Sequence, residues 1–183
     1  YYHQMKSLLL IDGHSLAFRA FYSLPPSLQT HFGQPTNAAY GFFSMLFKAL
    51  EKFSPDALVV AFDLKAPTFR HIEYPEYKAN RAKTPDEFIS QVPVIRECLD
   101  ALQIKIIDQE GFEADDVIGT LAKKGAKAGY HVNILTGDMD ALQLVEQNIS
   151  VVATKKGISE IIIYDPQEVK NKYQLGPEQI IDY

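Results

Sequence analysis

The sequence predicts an α/β domain, with a mostly parallel central sheet, helices on both faces and one basic, irregular insertion. Short apolar runs recur along the chain, and stretches with helical apolar spacing lie between several of them. Acidic residues fall just after the runs. Strand, helix, strand at this rhythm is the signature of parallel βαβ units.

Taken in order, Leu8-Leu9-Leu10-Ile11 reads as the first buried strand. Tyr40, Phe43, Leu46, Phe47 and Leu50 repeat every three or four residues, which predicts a helix. Leu58 to Phe62 reads as the next strand, and Val94, Ile95, Leu99 and Leu102 as a second helix. Ile104 to Ile107 is a strand, followed by a helix marked by Val117, Ile118, Leu121 and Ala122. Val132 to Leu135, Ser150 to Ala153 and Ile161 to Tyr164 complete the strands. Tyr1-Tyr2-His3-Gln4 before Met5 is expected to lie outside the fold.

One stretch breaks the rhythm. From Leu64 to Thr84 there is no clean helical period, and Pro67 and Pro75 interrupt it. Lys65, Arg70, Lys78, Arg81 and Lys83 stand there against Glu73 and Glu76, so the segment is basic in a chain of formal net charge −5. A long connection without regular structure inside a compact domain is usually functional.

The bulk properties exclude several classes. Hydrophobic residues make up 46% and charged residues 22%, a globular rather than a disordered balance. No apolar run approaches the roughly 20 residues of a membrane span, and Leu8 to Ile11 is too short for a signal peptide. The one cysteine, Cys98, rules out an internal disulfide or a multi-cysteine zinc site and is expected to be buried and inert. A reducing cytoplasm is compatible with that composition.

The positions of the acids carry the chemistry. Asp12 follows the first strand and Asp63 the second; Asp138 and Asp140 follow Val132 to Leu135 through Thr136-Gly137. Glu113, Asp115 and Asp116 open the helix after Ile104 to Ile107. In a parallel sheet all the C-terminal strand ends share one edge, where ligands bind. So many acids on one edge raise each other's pKa unless a cation compensates them. Oxygen donors without nearby cysteine select Mg²⁺ or Mn²⁺, with Ca²⁺ the alternative. Two such ions about 4 Å apart would serve phosphodiester chemistry. Singly, each acid also reads as a helix cap or a solvated turn residue. If the helix already runs from Glu113, then Glu113 and Asp116 share a face and Asp115 points away. If it begins nearer Asp115, Glu113 and Asp115 converge. The sequence leaves both open.

The motifs Leu10-Ile11-Asp12-Gly13-His14-Ser15-Leu16-Ala17-Phe18-Arg19-Ala20, Tyr40-Gly41-Phe42, Phe62-Asp63, Phe69-Arg70-His71, Tyr77-Lys78-Ala79-Asn80-Arg81, Glu113-Ala114-Asp115-Asp116-Val117 and Gly137-Asp138-Met139-Asp140 lie in family order and spacing. Together they resemble the 5′-nuclease domain of bacterial DNA polymerase I, within the flap-endonuclease superfamily. The resemblance runs from Ser7 to the C-terminus. It implies a Mg²⁺-dependent 5′→3′ exonuclease and 5′-flap endonuclease acting on DNA in replication and repair, with two ions and Mn²⁺ able to substitute. It implies Asp12, Asp63, Glu113, Asp115, Asp116, Asp138 and Asp140 as metal-site acids. Lys78 and Arg81 would be the cations beside the scissile phosphate, on the arch. Arg70 and Arg19 would contact the strand, and Tyr40 would stack on the terminal base; a core aromatic at helical spacing is the plain alternative for Tyr40. The implied partners are DNA with a free 5′ end or flap and a C-terminal polymerase domain, in the bacterial cytoplasm. In the family the chain continues past Tyr183 into two more metal-site aspartates and a helix-hairpin-helix element that grips duplex. Those elements are not among these 183 residues, so the second metal site is expected to be incomplete. Met139 stands where lysine is common and Ala141 where leucine is usual.

Other readings fit less well. A haloacid-dehalogenase-like phosphatase needs an aspartate where His14 stands, and neither a Gly-x-x-x-x-Gly-Lys-Ser/Thr loop nor a Gly-x-Gly-x-x-Gly turn is present. A PIN-type ribonuclease uses a similar acidic cluster, but the basic, aromatic insertion from Leu64 to Thr84 favours the flap-nuclease resemblance. A non-catalytic nucleic-acid-binding module is the rival from a different class, and multiple turnovers abolished by EDTA would separate the two.

Overall fold

Apolar runs that are buried on both faces need helices on both sides, and the computed structural model arranges them so. It describes residues 5–74, 76–78, 83–154 and 160–182. The strands are β1 (Lys6–Asp12), β2 (Ala57–Ala61), β3 (Lys105–Ile107), β4 (Tyr130–Leu135), β5 (Ile149–Thr154) and β6 (Ile161–Tyr164). They form one sheet in the order β3-β2-β1-β4-β5-β6. All neighbours pair parallel except β5 and β6, which are antiparallel. Every apolar run read from the sequence is a strand, shifted by a residue or two at its ends.

The helices are α1 (Gly13–Ser23), α2 (Asn37–Phe53), α3 (Phe69–Glu73), α4 (Asp86–Ile89), α5 (Gln91–Ala101), α6 (Ala114–Lys127) and α7 (Pro166–Tyr173). Two 3₁₀ helices, Met139–Leu144 and Pro177–Asp182, pack on each other. Alternate residues of β1 point to opposite sides. Leu9 and Ile11 join Leu16, Phe42, Leu46, Ile95 and Leu99 in one core, under α1, α2 and α5. Leu10 joins Ile118, Ala122, Leu142 and Val169 in the other, under α6, the first 3₁₀ helix and α7. Among the described residues no helix is long and apolar enough to cross a membrane.

Two expectations need correction. The stretch from Leu64 to Thr84 contains a short helix, α3, whose start is held by Thr68: its backbone N–H and its hydroxyl both hydrogen-bond His71 Nδ1, at 3.2 and 2.9 Å. Cys98 is exposed, not buried. The face of α5 turned to the core is Gln91, Ile95 and Leu99, a four-residue repeat that leaves Cys98 outside it.

Strand order fixes where the site lies. From β1 the chain builds outward through β2 to β3, then returns to lay β4 on the other side of β1. The reversal opens a crevice between the C-terminal ends of β1 and β4, the place where open α/β sheets bind ligands.

Candidate metal centre

Asp12 stands at that crevice. It ends β1 and caps α1: its Oδ1 accepts the Ser15 N–H at 2.9 Å. Its Oδ2 accepts the Thr136 hydroxyl at 3.0 Å, across from the end of β4. Thr136 Oγ1 also accepts the Asp138 N–H at 3.0 Å, and the Gly137 N–H donates to Ser15 Oγ at 2.9 Å. The two strand ends are thus stitched together by two hydroxyls. Burial pushes the Asp12 carboxyl up to about 7, with the charges of Asp115 and Asp63 adding to it and the bonds from Ser15 and Thr136 opposing.

Asp63 follows β2 by two residues, and its Oδ1 accepts the Ala114 N–H at 2.7 Å, at the first residue of α6. That helix start resolves the alternative left open by the sequence. Glu113 has extended backbone (φ −89°, ψ 160°) and precedes the helix, so Glu113 and Asp115 both reach the acidic edge. Asp116 turns back, accepting the Glu113 N–H at 3.0 Å and a two-pronged bond from Arg70 at 2.7 and 2.8 Å. Arg70 holds the Asp116 carboxyl below its usual range. Burial, followed by the charges of Asp138, Asp63 and Glu113, raises Asp115 to about 6, against the pull of Lys78. Asp138 caps the 3₁₀ helix Met139–Leu144 through the Asp140 N–H at 2.9 Å. Asp140 is exposed beside it.

The cations sit against these acids. Lys78 Nζ lies 2.7 Å from Glu113 Oε1, and the Tyr77 hydroxyl donates to Glu113 Oε2 at 3.2 Å. Lys78 adopts a left-handed backbone, φ 59°. Arg81 lies outside the described residues. Arg19 donates to the Thr154 carbonyl at 3.1 Å and lines the acidic cleft.

Two cavities, of about 720 and 560 Å³, meet at Asp115 and Asp138, which line both. The larger runs between α6 and the first 3₁₀ helix and takes in Arg70, Glu113, Asp116 and Asp140. The smaller takes in Asp12, Asp63, Phe18, Arg19 and Tyr22. Tyr40 lines neither: it is 60% exposed on α2, one position ahead of the buried Gly41-Phe42. Phe18 and Tyr22 are rings that line the smaller cavity. With Ser15 and Arg19 they form a stripe at three- and four-residue spacing on α1, a pattern present in the sequence. Thr136 and His14 are further site neighbours that the sequence reading passed over. Burial lowers the His14 imidazole's pKa, with Asp63 opposing that shift.

The donors fit a hard divalent cation. All are carboxylate oxygens, and burial, with like charges nearby adding to it, raises the Asp12 and Asp115 carboxyls. Among the described residues no three of His, Cys, Asp or Glu stand close enough together to hold a metal ion as they are. The acids ring an open cleft, and Glu113 and Asp116 are engaged by Lys78 and Arg70.

Comparisons with known proteins agree with this architecture. The family model "5'-3' exonuclease, N-terminal resolvase-like domain" matches residues 7–174. DNA polymerase I of Bacillus subtilis (strain 168) is 50% identical over 179 residues, covering 98% of this chain and 20% of that protein. DNA polymerase I of Mycobacterium tuberculosis (strain H37Rv) is 48% identical over 178 residues, 97% of this chain and 20% of its own length. The chain thus spans about a fifth of the curated relatives it matches. A bacteriophage T5 flap endonuclease, solved as a pseudo-enzyme-product complex with DNA and metal ions, superposes with a TM-score of 0.75 at 22% identity, over 96% of this chain and 64% of that one. The catalytic core of Rad2 in complex with DNA substrate gives 0.54 at 16% identity, over 97% and 52%. At such identities these two structures speak for the fold alone. The family match extends over nearly the whole chain, which therefore belongs to the 5′–3′ exonuclease N-terminal, resolvase-like domain family.

Proposed function

We propose that this chain is the metal-binding part of a Mg²⁺-dependent 5′-nuclease that hydrolyses DNA phosphodiesters near a 5′ end or 5′ flap. The observation that carries the reading is the delivery of Asp12, Asp63, Glu113, Asp115, Asp138 and Asp140 to one sheet edge, with Asp12 and Asp115 pushed far above ordinary carboxylates. Those six acids would hold the ions, two when the site is complete, and Mn²⁺ would replace Mg²⁺. Bound there, the ions would supply Lewis-acid activation of water and of the phosphoryl oxygen.

The chain's own groups then have distinct tasks. Lys78 and Arg81 neutralise charge developing on the scissile phosphate, since phosphoryl transfer needs positive charge at its equatorial oxygens. Glu113 aims Lys78, and Asp116 aims Arg70 towards the entering strand. Tyr22, exposed at the cleft in front of Phe18, which stacks on Phe88, offers a face to bases without selecting sequence, as does the exposed Tyr40 on α2. Arg19 contacts the backbone beside Tyr22. In-line attack by water leaves a 5′-phosphate. Replication and repair in the bacterial cytoplasm, with a polymerase domain in the same chain, is the setting consistent with relatives named DNA polymerase I.

The test is cleavage of an end-labelled 5′-flap duplex in Mg²⁺, with an EDTA control. Multiple turnovers near the flap junction, abolished by EDTA and reduced by orders of magnitude in Asp138→Ala at unchanged circular dichroism, are expected. Cleavage by Asp138→Ala at the parent rate would sink the metal assignment. Retention of DNA without cutting would favour a binding module, and cutting of single-stranded RNA alone would favour a PIN-type ribonuclease.

A further inference from the structure

We propose that His14 is a positioning residue that fixes Asp63 for the cation, an inference that rests on the metal-site reading above. His14 is the second residue of α1, in the turn that Asp12 caps. The Asp63 N–H donates to His14 Nδ1 at 3.1 Å, and Asp63 Oδ2 lies 3.7 Å from the same nitrogen. Nδ1 is therefore the acceptor, and the ring's proton sits on Nε2. On its other side Asp63 is held through Oδ1 by the Ala114 N–H at 2.7 Å. His14 fixes the backbone and α6 fixes one carboxylate oxygen, which leaves Oδ2 directed by both.

The ring itself is held in place. His14 meets Phe62 edge-on, with centroids 5.3 Å apart and planes at 81°. The Arg96 guanidinium stands 5.1 Å from the same Phe62 ring and is tied to Asp108 at 2.6 Å. A side chain on Gly13 would come within 2.5 Å of Phe62, so the first turn of α1 is pressed directly onto that ring. Phe62 is buried and immediately precedes Asp63. Asp63, by contrast, keeps 46% of its side chain exposed, so among the described residues these bonds are what orient it. Groups that orient a metal's ligands without touching the metal typically change affinity ten- to a hundredfold when removed.

His14→Leu keeps bulk but removes the acceptor; His14→Asn places its amide oxygen where Nδ1 stands. Mn²⁺ binding is read by the loss of the free-ion electron paramagnetic resonance signal, and the Asp63 amide by hydrogen exchange in metal-free protein. The expected result is about tenfold weaker Mn²⁺ binding and faster Asp63 exchange in His14→Leu. Both are expected to stay near the parent in His14→Asn, with similar melting temperatures throughout. If the Leu variant does not fold, His14→Ala is read in the same way. Unchanged binding in the acceptor-free variant, or equal loss in Asn and Leu, overturns the inference alone. A parent chain that binds no Mn²⁺ overturns the metal-site reading and this inference with it.

Discussion

Glu113 accepts from two donors at once, and that makes Lys78 the most informative single residue. Its Nζ is 2.7 Å from Glu113 Oε1 while the Tyr77 hydroxyl occupies Oε2, so a cation entering the cleft competes with Lys78 for the same carboxylate. Replacing Lys78 with Ala frees Glu113 Oε1 and deletes the charge proposed to face the phosphate. Turnover on a flap substrate is expected to fall about a hundredfold, the scale of losing one transition-state charge partner. The Mg²⁺ concentration for half-maximal rate is expected to stay level or drop. A Mg²⁺ titration of both proteins under substrate saturation measures the two separately. Equal loss in rate and in metal affinity would contradict the role given to Lys78.

At the scale of elements, the site depends on how tightly α1 lies on α2. A Cβ at Gly41 would stand 2.6 Å from Ala20 Cβ and 3.2 Å from the Ala20 backbone, so only glycine allows this crossing. Gly41→Ala is expected to destabilise the chain by about 2 kcal/mol, lowering the melting temperature by about 6 °C. Mn²⁺ affinity is expected to hold, because the Asp12 cap and the Thr136 bond lie at the other end of α1. A melting temperature equal to the parent's would show that the helices can separate freely. Gly41 was legible in the sequence only as part of a motif; its physical reason required the packed pair. The apolar strands and the acids behind them were legible because a buried parallel strand admits few polar residues, so Asp12 and Asp63 stand out where their strands end. Cys98 was misread as buried, and the plain alternative for Tyr40, a core aromatic, is set aside by its exposure in the same way. Helical spacing shows that a residue lies on a helix, while which face meets the core depends on the neighbours it packs against. The stripe Ser15, Phe18, Arg19 and Tyr22 carried the cleft-facing signal, but it was hidden inside a stretch read for its aspartate.

The whole molecule carries a charge imbalance that makes its stability sensitive to protons and cations. Asp12 and Asp115 have folded-state pKa values of about 7 and about 6, against 3.8 for a free aspartate. The native chain therefore binds protons that the unfolded chain has released, and stability falls as pH rises. Their contribution is full below about pH 4 and is lost through about pH 6 for Asp115 and about pH 7 for Asp12. His14 works in the other direction: its lowered pKa means that stability is regained as pH rises through the ordinary imidazole range near 6.5. The carboxylates outweigh it, so in EDTA the melting temperature is expected to fall by about 3 °C from about pH 6 to 8. A divalent cation that binds only the folded, ionised site should reverse this fall. Millimolar Mg²⁺ is expected to raise the midpoint at pH 8 and to leave it nearly unchanged at pH 5, where protons already neutralise the acids. Asp12→Asn is expected to remove the fall in EDTA, because a neutral side chain stands where the buried carboxylate was. Melting followed by circular dichroism across that range, with and without Mg²⁺, reads all three effects. A parent midpoint that is flat or rising in EDTA would mean that Asp12 and Asp115 are not held protonated by burial at the sheet edge.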